Sequence, residues 1–403
     1  MTKSRRFQPW RWLVKGAQAV AVLGLPFVTI GGESALRFDI PSLTLHVFGL
    51  PIAMDEFFIV LVAVLFLTFL LITLTILLGR IWCGWLCPQT VVADFTRFVD
   101  RSAGRGPAMR GAALLAVLGL SPLLAAGIIW YFVSPYEFFH RLGDGSLGPV
   151  IGWSWAVLTA VTFLDFGFLR HTFCSSVCPY AKMQASLFDD RTLVIAADEG
   201  RMDECMRCDA CVRTCPVAID VRQGLSAACI NCAECIDACA ERMSRRDKPS
   251  LIGYRFGTGP QVTPSVRRPV VLAGTATALF LGLLIVLALT RLPFELDVLA
   301  DASQPPRRHA GQTIVNTYVL SLTNRTANAI ELAVTASAAG QRLRVAPERI
   351  VLERSAHRRT ALTVLWDDRV RILSGPEHLT ITAESIRFPG VRLERRATIM
   401  PPR

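Results

Sequence analysis

The sequence predicts a multidomain membrane protein: an α-helical transmembrane bundle of about five spans, a cysteine-rich insert before the last span, and a C-terminal β-sandwich. Three observations predict it. Hydrophobic residues make up 52% of the 403 residues and charged ones only 19%, and mean hydropathy is +0.41. Uncharged runs cover roughly 16–31, 57–79, 111–133, 150–169 and 270–290, each near the ~20 residues a bilayer-spanning helix needs. Beyond Arg291 the pattern changes to period-two alternation, the mark of half-buried strands.

The first run follows basic residues, as a signal peptide does, but no small-residue cleavage site precedes the next hydrophilic stretch, so a retained anchor is expected. The second, FFIVLVAVLFLTFLLITLTILLG at 57–79, is too long and too uniformly apolar for a globular core helix. Lys and Arg number five in 1–15, one in 32–56 (Arg37), five in 79–110, one in 134–149 (Arg141) and fourteen in 170–268. This alternation predicts a cytoplasmic N-terminus in a bacterial inner membrane. Five crossings then send residues 291–403 to the periplasm; their seventeen Arg do not oppose this, because long domains translocate largely regardless of charge. The net charge of +11 is thus topology plus an Arg-rich tail, and without a nucleic-acid-binding motif no nucleic-acid partner is expected; the lipid bilayer is.

Two membrane-edge motifs repeat one pattern: Cys83-x3-Cys87-Pro88 and Cys174-x3-Cys178-Pro179. Residues four apart on a helix share a face, and proline disfavours helical geometry in the residue before it, freeing the second thiol. Brought together, the pairs make one four-sulfur site or two two-sulfur sites. Soft thiolates suit Cu(I), zinc or iron–sulfur centres, adjacent thiols also cycle to a disulfide, and the bland alternative is four small buried hydrophobes. His171 is a further ligand candidate or a plain interfacial histidine. Asp165, inside span four, marks a proton or ion path or pairs with Arg170. Met183, Met202 and Met206 offer thioethers or simply pack, and Trp82, Trp85, Trp153 and Trp155 read as interfacial belts.

The insert carries Cys205, Cys208, Cys211, Cys215 with Pro216, then Cys229, Cys232, Cys235, Cys239, each run C-x2-C-x2-C-x3-C. This is the bacterial ferredoxin spacing for two [4Fe–4S] clusters, in which the fourth cysteine of each run crosses to the other cluster. The expected sets are Cys205, Cys208, Cys211 and Cys239, and Cys215, Cys229, Cys232 and Cys235. A CxxC pair also serves zinc, but two complete runs thirteen residues apart point to iron–sulfur and to electron transfer. All twelve cysteines fall within 83–239, on the reducing side of the predicted topology, so they are ligands or redox groups rather than disulfides.

In the tail, Ile314, Asn316, Tyr318, Leu320 and Leu322 share one strand face; similar strands are expected at 329–336, 341–352, 359–366, 377–385 and 391–399. Short strands with turns at Asn324, Gly340, Gly375, Pro376 and Gly390 predict one immunoglobulin-like sandwich. The expected divisions are 1–184 for spans one to four, 185–248 for the ferredoxin domain, 249–291 for linker and span five, and 292–403 for the sandwich.

GRIWCGWLCPQT (79–90), FCSSVCPYAKMQ (173–184), the run CMRCDACVRTCPVAIDVRQGL continuing into CINCAECIDAC, and NTYVLSLTN (316–324) together resemble the CcoG/FixG/RdxA family of cytochrome c oxidase accessory proteins. The cysteine motifs are shared with NapH and NosR; the immunoglobulin-like tail favours CcoG. The resemblance implies reduction of Cu(II) to Cu(I) for assembly of the cbb3-type oxidase. Cys83, Cys87, Cys174 and Cys178 would be the copper-associated thiols, with oxidase subunits or copper chaperones as partners and an electron donor left unnamed. The segment 300–310 and the Arg-rich tail depart from the family pattern and put tail-mediated contacts in doubt. The competing functions are a quinol-linked respiratory electron conduit and a redox-sensing scaffold without turnover.

Overall fold

The computed structural model describes residues 7–187, 191–257, 267–301, 304, 306–309, 313–338, 340–354, 356–367 and 378–398. Lys3, Arg5 and Arg6, residues 258–266 of the expected linker and the turn at Gly375 and Pro376 lie outside them. The chain forms two units, Met1–Val28 with Phe58–Val286, and Thr29–Phe57 with Leu287–Arg403.

In the first unit, four helices are long and apolar enough to cross a membrane: Phe57–Leu78, Pro107–Ile129, Pro149–Leu169 and Arg268–Leu289. The first expected span is the exception. Helix Phe7–Gly24 carries Arg11 and Lys15, both buried, in its first half, and these charges keep it out of the apolar set. Phe57–Leu78 and Arg268–Leu289 meet through stacked Phe69 and Phe280, 5.3 Å between centroids, and a 3.0 Å hydroxyl bond between Thr73 and Thr277. Trp155 Nε1 donates to the Pro122 carbonyl at 2.9 Å, tying Pro149–Leu164 to Pro107–Ile129. The last turn of this span, Asp165–Leu169, widens to a π-helix that ends at Arg170, where φ is 51°.

The cysteine-rich insert is framed by antiparallel strands Leu193–Ala197 and Ile252–Phe256, with Leu193 opposite Phe256. The second strand falls in the stretch expected to be linker; alternation over five residues flanked by Gly and Pro was too short a signal. Helices Ala210–Arg213 and Glu234–Met243 each start inside a cysteine run.

The second unit is an antiparallel β-sandwich. Strand Gln341–Ala346 pairs first with Ile330–Ala338 and then with His357–Asp367, passing from one sheet to the other. The expected face of Thr313–Asn324 is buried throughout, Ile314, Asn316, Tyr318, Leu320 and Leu322 all at 6% exposure or less. Strands Phe294–Ala300 and Arg307–His309 extend the sheet beyond the expected set. Residues 29–57, expected as the end of the first span (to 31), a loop (32–56) and the start of the second span (57), join this unit with short strands Leu36–Asp39, Thr44–Val47 and Leu50–Ile52. Buried Glu56 pairs there with Arg291 at 2.6 Å and with Arg325 at 3.5 Å.

Candidate functional site

The two cysteine runs fold alike. The residues flanking the second cysteine are left-handed in both: Arg207 and Asp209 (φ 48° and 52°), Asn231 and Ala233 (φ 52° and 62°). None is glycine, so each costs on the order of 1 kcal/mol or more, a cost that persists where a ligand loop over-determines the backbone. Alternating right- and left-handed residues turn successive N–H groups to one side, making a concavity suited to anions such as iron–sulfur clusters.

Cys205, Cys208, Cys211 and Cys239 line one hollow, beside Met202, Met206 and Arg222. Cys215, Cys229, Cys232 and Cys235 line a second, walled by Ile195, Val217, Val221 and Ile230; Cys211 reaches it too and so stands between the hollows. Burial pushes the Cys232 thiol up to about 12 and raises Cys229 and Cys235 as well. Among the described residues no three His, Cys, Asp or Glu close to single-ion ligation; the thiols surround a space rather than a point. Four soft sulfurs around a largely apolar hollow fit a [4Fe–4S] cluster.

The CxxxCP motifs form matching turns. Cys83 sits in the short helix Ile81–Trp85, and Cys87 is extended (φ −68°, ψ 125°) before Pro88 opens the next helix. Cys174 lies in a π-turn, and Cys178 (φ −59°, ψ 115°) precedes Pro179. Each first thiol is buried and each second is less so. All four are within electrostatic reach: Cys83 feels Cys87 and Cys178, and Cys174 feels Cys87, Cys83 and Cys178. Burial pushes Cys83 up to about 11, against the opposing Arg80 guanidinium, and Cys174 up to about 12. Cys83 Sγ donates to Gln184 Oε1 at 3.2 Å. Buried Arg80 orders the pair, donating to Gln184 Oε1 at 3.2 Å and to the Cys174 carbonyl at 3.3 Å.

This thiol site abuts the second hollow. A Cβ on Gly84 would fall 2.3 Å from the Ile230 carbonyl and 3.0 Å from the Cys232 backbone, and one on Gly79 (φ +60°) would fall 2.4 Å from the Leu193 carbonyl. Only glycine permits that approach at either position. Trp85 Nε1 donates to the Asn231 carbonyl at 3.2 Å, which also accepts from Tyr254 Oη at 2.6 Å. Trp85 is therefore part of this joint rather than of an interfacial belt, while Trp153 is 72% exposed.

Buried charges close the joint. Arg11 reaches Asp94 at 2.6 Å, Glu234 at 2.5 Å and the Gly84 carbonyl at 2.8 Å; Lys15 also pairs with Asp94, and Arg97 with Glu234. Burial would raise Glu234, but Arg97 and Arg11 hold its carboxyl below the usual range. The Asp237 carboxylate caps the first helix, accepting from the backbone N–H of Phe7 at 3.0 Å and Gln8 at 2.8 Å. His171 turns to Asp94, 3.4 Å away, and burial lowers it to about 4; it packs into this network. Met183 is exposed. Arg11, Arg80, Asp94, Gln184 and Glu234 were not singled out from the sequence, where nothing local marks them.

Fold and site define a membrane-bound iron–sulfur electron-transfer protein. A 4Fe–4S dicluster domain matches residues 198–256, a 4Fe–4S binding domain matches 59–105 and 151–192, and the immunoglobulin-like fold at the C-terminus of FixG matches 284–402. The chain is 34% identical to RdxA of Cereibacter sphaeroides over 251 residues, 55% of this chain and 53% of that one. Against FixG of Rhizobium meliloti it is 30% identical over 292 residues, 62% and 55% of the two chains. RdxB of C. sphaeroides is 30% identical over 394 residues, 85% of this chain and 80% of that one. The alignments thus span about half the length of RdxA and FixG and most of RdxB. The chain belongs to the FixG/RdxA family.

Proposed function

We propose that this protein reduces Cu(II) to Cu(I) at the CxxxCP thiols and serves assembly of a cbb3-type oxidase, passing Cu(I) to an oxidase subunit or a copper chaperone. The observation that carries the reading is the seat of Cys83, one residue from Gly84, whose backbone is pressed against that of Cys232. Cys205, Cys208, Cys211 and Cys239 would hold one cluster, and Cys215, Cys229, Cys232 and Cys235 the other. The clusters, when bound, supply single electrons. Cys87 and Cys178, the less buried thiols, meet copper first; Cys83 and Cys174 complete a soft sulfur set that favours Cu(I) over Cu(II). Arg80 and Gln184 hold Cys83 and the Cys174 backbone in register.

The alternation of Lys and Arg between the apolar runs supports an inner-membrane topology with cysteines in the cytoplasm and tail in the periplasm. Residues 29–57 fold with the tail, while 7–15 pack against the cysteine-bearing loops. In this proposal Phe7–Val28 is a fifth crossing beside the four apolar helices, its buried charges held by Asp94 and Glu234 at one end.

The test uses the full chain purified without oxygen. Iron, sulfide and copper are counted per chain, and Cu(II) reduction is followed after dithionite. Cys83→Ser with Cys174→Ser should lower copper reduction at least ~tenfold, the loss of a bond set worth ~1.4 kcal/mol or more, with iron content unchanged. Undiminished copper reduction overturns the reading. A second reading, the quinol-linked electron conduit, is favoured by the 4Fe–4S binding match over 59–105 and 151–192, which contain all four CxxxCP thiols. In that reading the thiols hold a cofactor, and the same variants lose iron.

A further inference from the structure

We infer that the small sheet of residues 36–52 lies in the headgroup layer of the bilayer, its apolar face seated on phospholipid. The strand register sorts its residues cleanly. Leu36 stands opposite Val47, Phe38 opposite Leu45, Leu45 opposite Ile52 and Val47 opposite Leu50, so all of these share one face. Arg37, Asp39, Thr44, His46 and Pro51 share the other. An antiparallel sheet on a soluble domain turns its apolar face to the core and its polar face to water. Here the order is reversed. Thr44, His46 and Pro51 are buried, whereas none of the apolar set is, and Leu50 is 54% exposed. The buried side is held by polar groups. Glu33 pairs with Arg37 at 2.7 Å, Arg354 of the sandwich is within electrostatic reach of His46, and Arg291 donates to the Pro51 carbonyl.

The turns of the sheet add to its apolar surface. Leu43 and Phe48 are left-handed (φ 50° and 48°), a conformation in which glycine or asparagine is usual. Both are exposed, Phe48 at 62%, and so are Ile40 and Met54. A contiguous exposed apolar patch marks an interaction surface, and the chain itself fixes what covers this one. Strand Leu50–Ile52 ends five residues before Phe57, the first residue of the apolar span. Five residues reach at most ~17 Å. The span begins at the edge of the hydrocarbon, beneath a headgroup layer about 5–7 Å thick, so the strand is tethered at the lipid surface. Lipid is the apolar medium within that reach. Aromatic and aliphatic side chains there sink into the boundary between headgroups and acyl chains, as those of interfacial amphipathic helices do.

The inference rests on the crossing of Phe57–Leu78 and is independent of copper chemistry. Full-length protein in phosphatidylcholine nanodiscs is photolabelled with a phosphatidylcholine carrying a diazirine beside its glycerol backbone. A parallel sample is oxidised with hydroxyl radicals. Lipid adducts should map to residues 36–52 and to Phe57–Leu78, and not to strand Ile330–Ala338. Leu50 should be oxidised about tenfold less than Val351 of the sandwich, which is as exposed in the structure. Phe48→Asp together with Leu50→Asp should cut the adducts on 36–52 about tenfold. Adducts on Phe57–Leu78 and iron content should be unchanged. Leu50 oxidised as freely as Val351 overturns the inference, as do lipid adducts undiminished by the two substitutions. Leu50 protected from radicals yet free of lipid adducts overturns it too, by placing a second copy or another protein on the face. An inverted topology would move the sheet to the opposite leaflet and leave every one of these results unchanged.

Discussion

The two units of this chain are held together by opposite means. In the sandwich, alternate residues of long strands form one apolar core, from Phe294 and Leu296 through Leu320, Leu332 and Leu362 to Ile381, and no cysteine is present. In the cysteine-bearing unit, the loops around the hollows are joined by buried charge and by bare backbone at Gly79 and Gly84. The difference follows from the solvent. Membrane helices already face lipid with their apolar sides, so greasy contact does not single out a partner there. A paired charge or a glycine-only approach does.

This contrast can be broken from either side. The largest effect is expected from Asp94→Ala or Glu234→Ala, which leave Arg11, Lys15 and Arg97 short of counter-charge; removing one partner of a buried pair costs ~3–5 kcal/mol. Protease resistance of residues 79–257 and iron content should fall together, with the sandwich intact. Next, Leu320→Ala, at a fully buried position, should cost ~2–5 kcal/mol in the sandwich and leave iron unchanged; a parallel loss of iron would show that the units are not independent. Gly84→Ala should cost ~1–3 kcal/mol as the backbones are forced apart, and copper reduction after dithionite should slow even where iron is retained. The smallest effect is expected from Tyr254→Phe, which removes one donor to Asn231, ~1 kcal/mol. If it rivals the charge variants in denaturant unfolding, the charges do not dominate the joint.

Much of this architecture was legible in the residues. The cysteine spacing located both hollows, since a tight loop fixes its ligands locally, and proline after Cys87 and Cys178 signalled the extended turns found there. Period-two alternation located most strands of the tail. What stayed hidden was long-range. Residues 29–57 fold with the tail through strands of only two to four residues, too short for a period to show. Trp85 carries the signature of a lipid-facing belt, because an aromatic at a helix edge looks the same whether it meets headgroups or a folded domain. Arg11 and Glu234 are unremarkable in their own windows; only the fold brings them to 2.5 Å.

The carboxylate that caps the first helix lies 230 residues further along the chain. That contact can form only after Asp237 has been synthesised; until then water must satisfy the helix's opening amides. The cap of helix Phe7–Gly24 thus depends on the folding of an insert more than two hundred residues away.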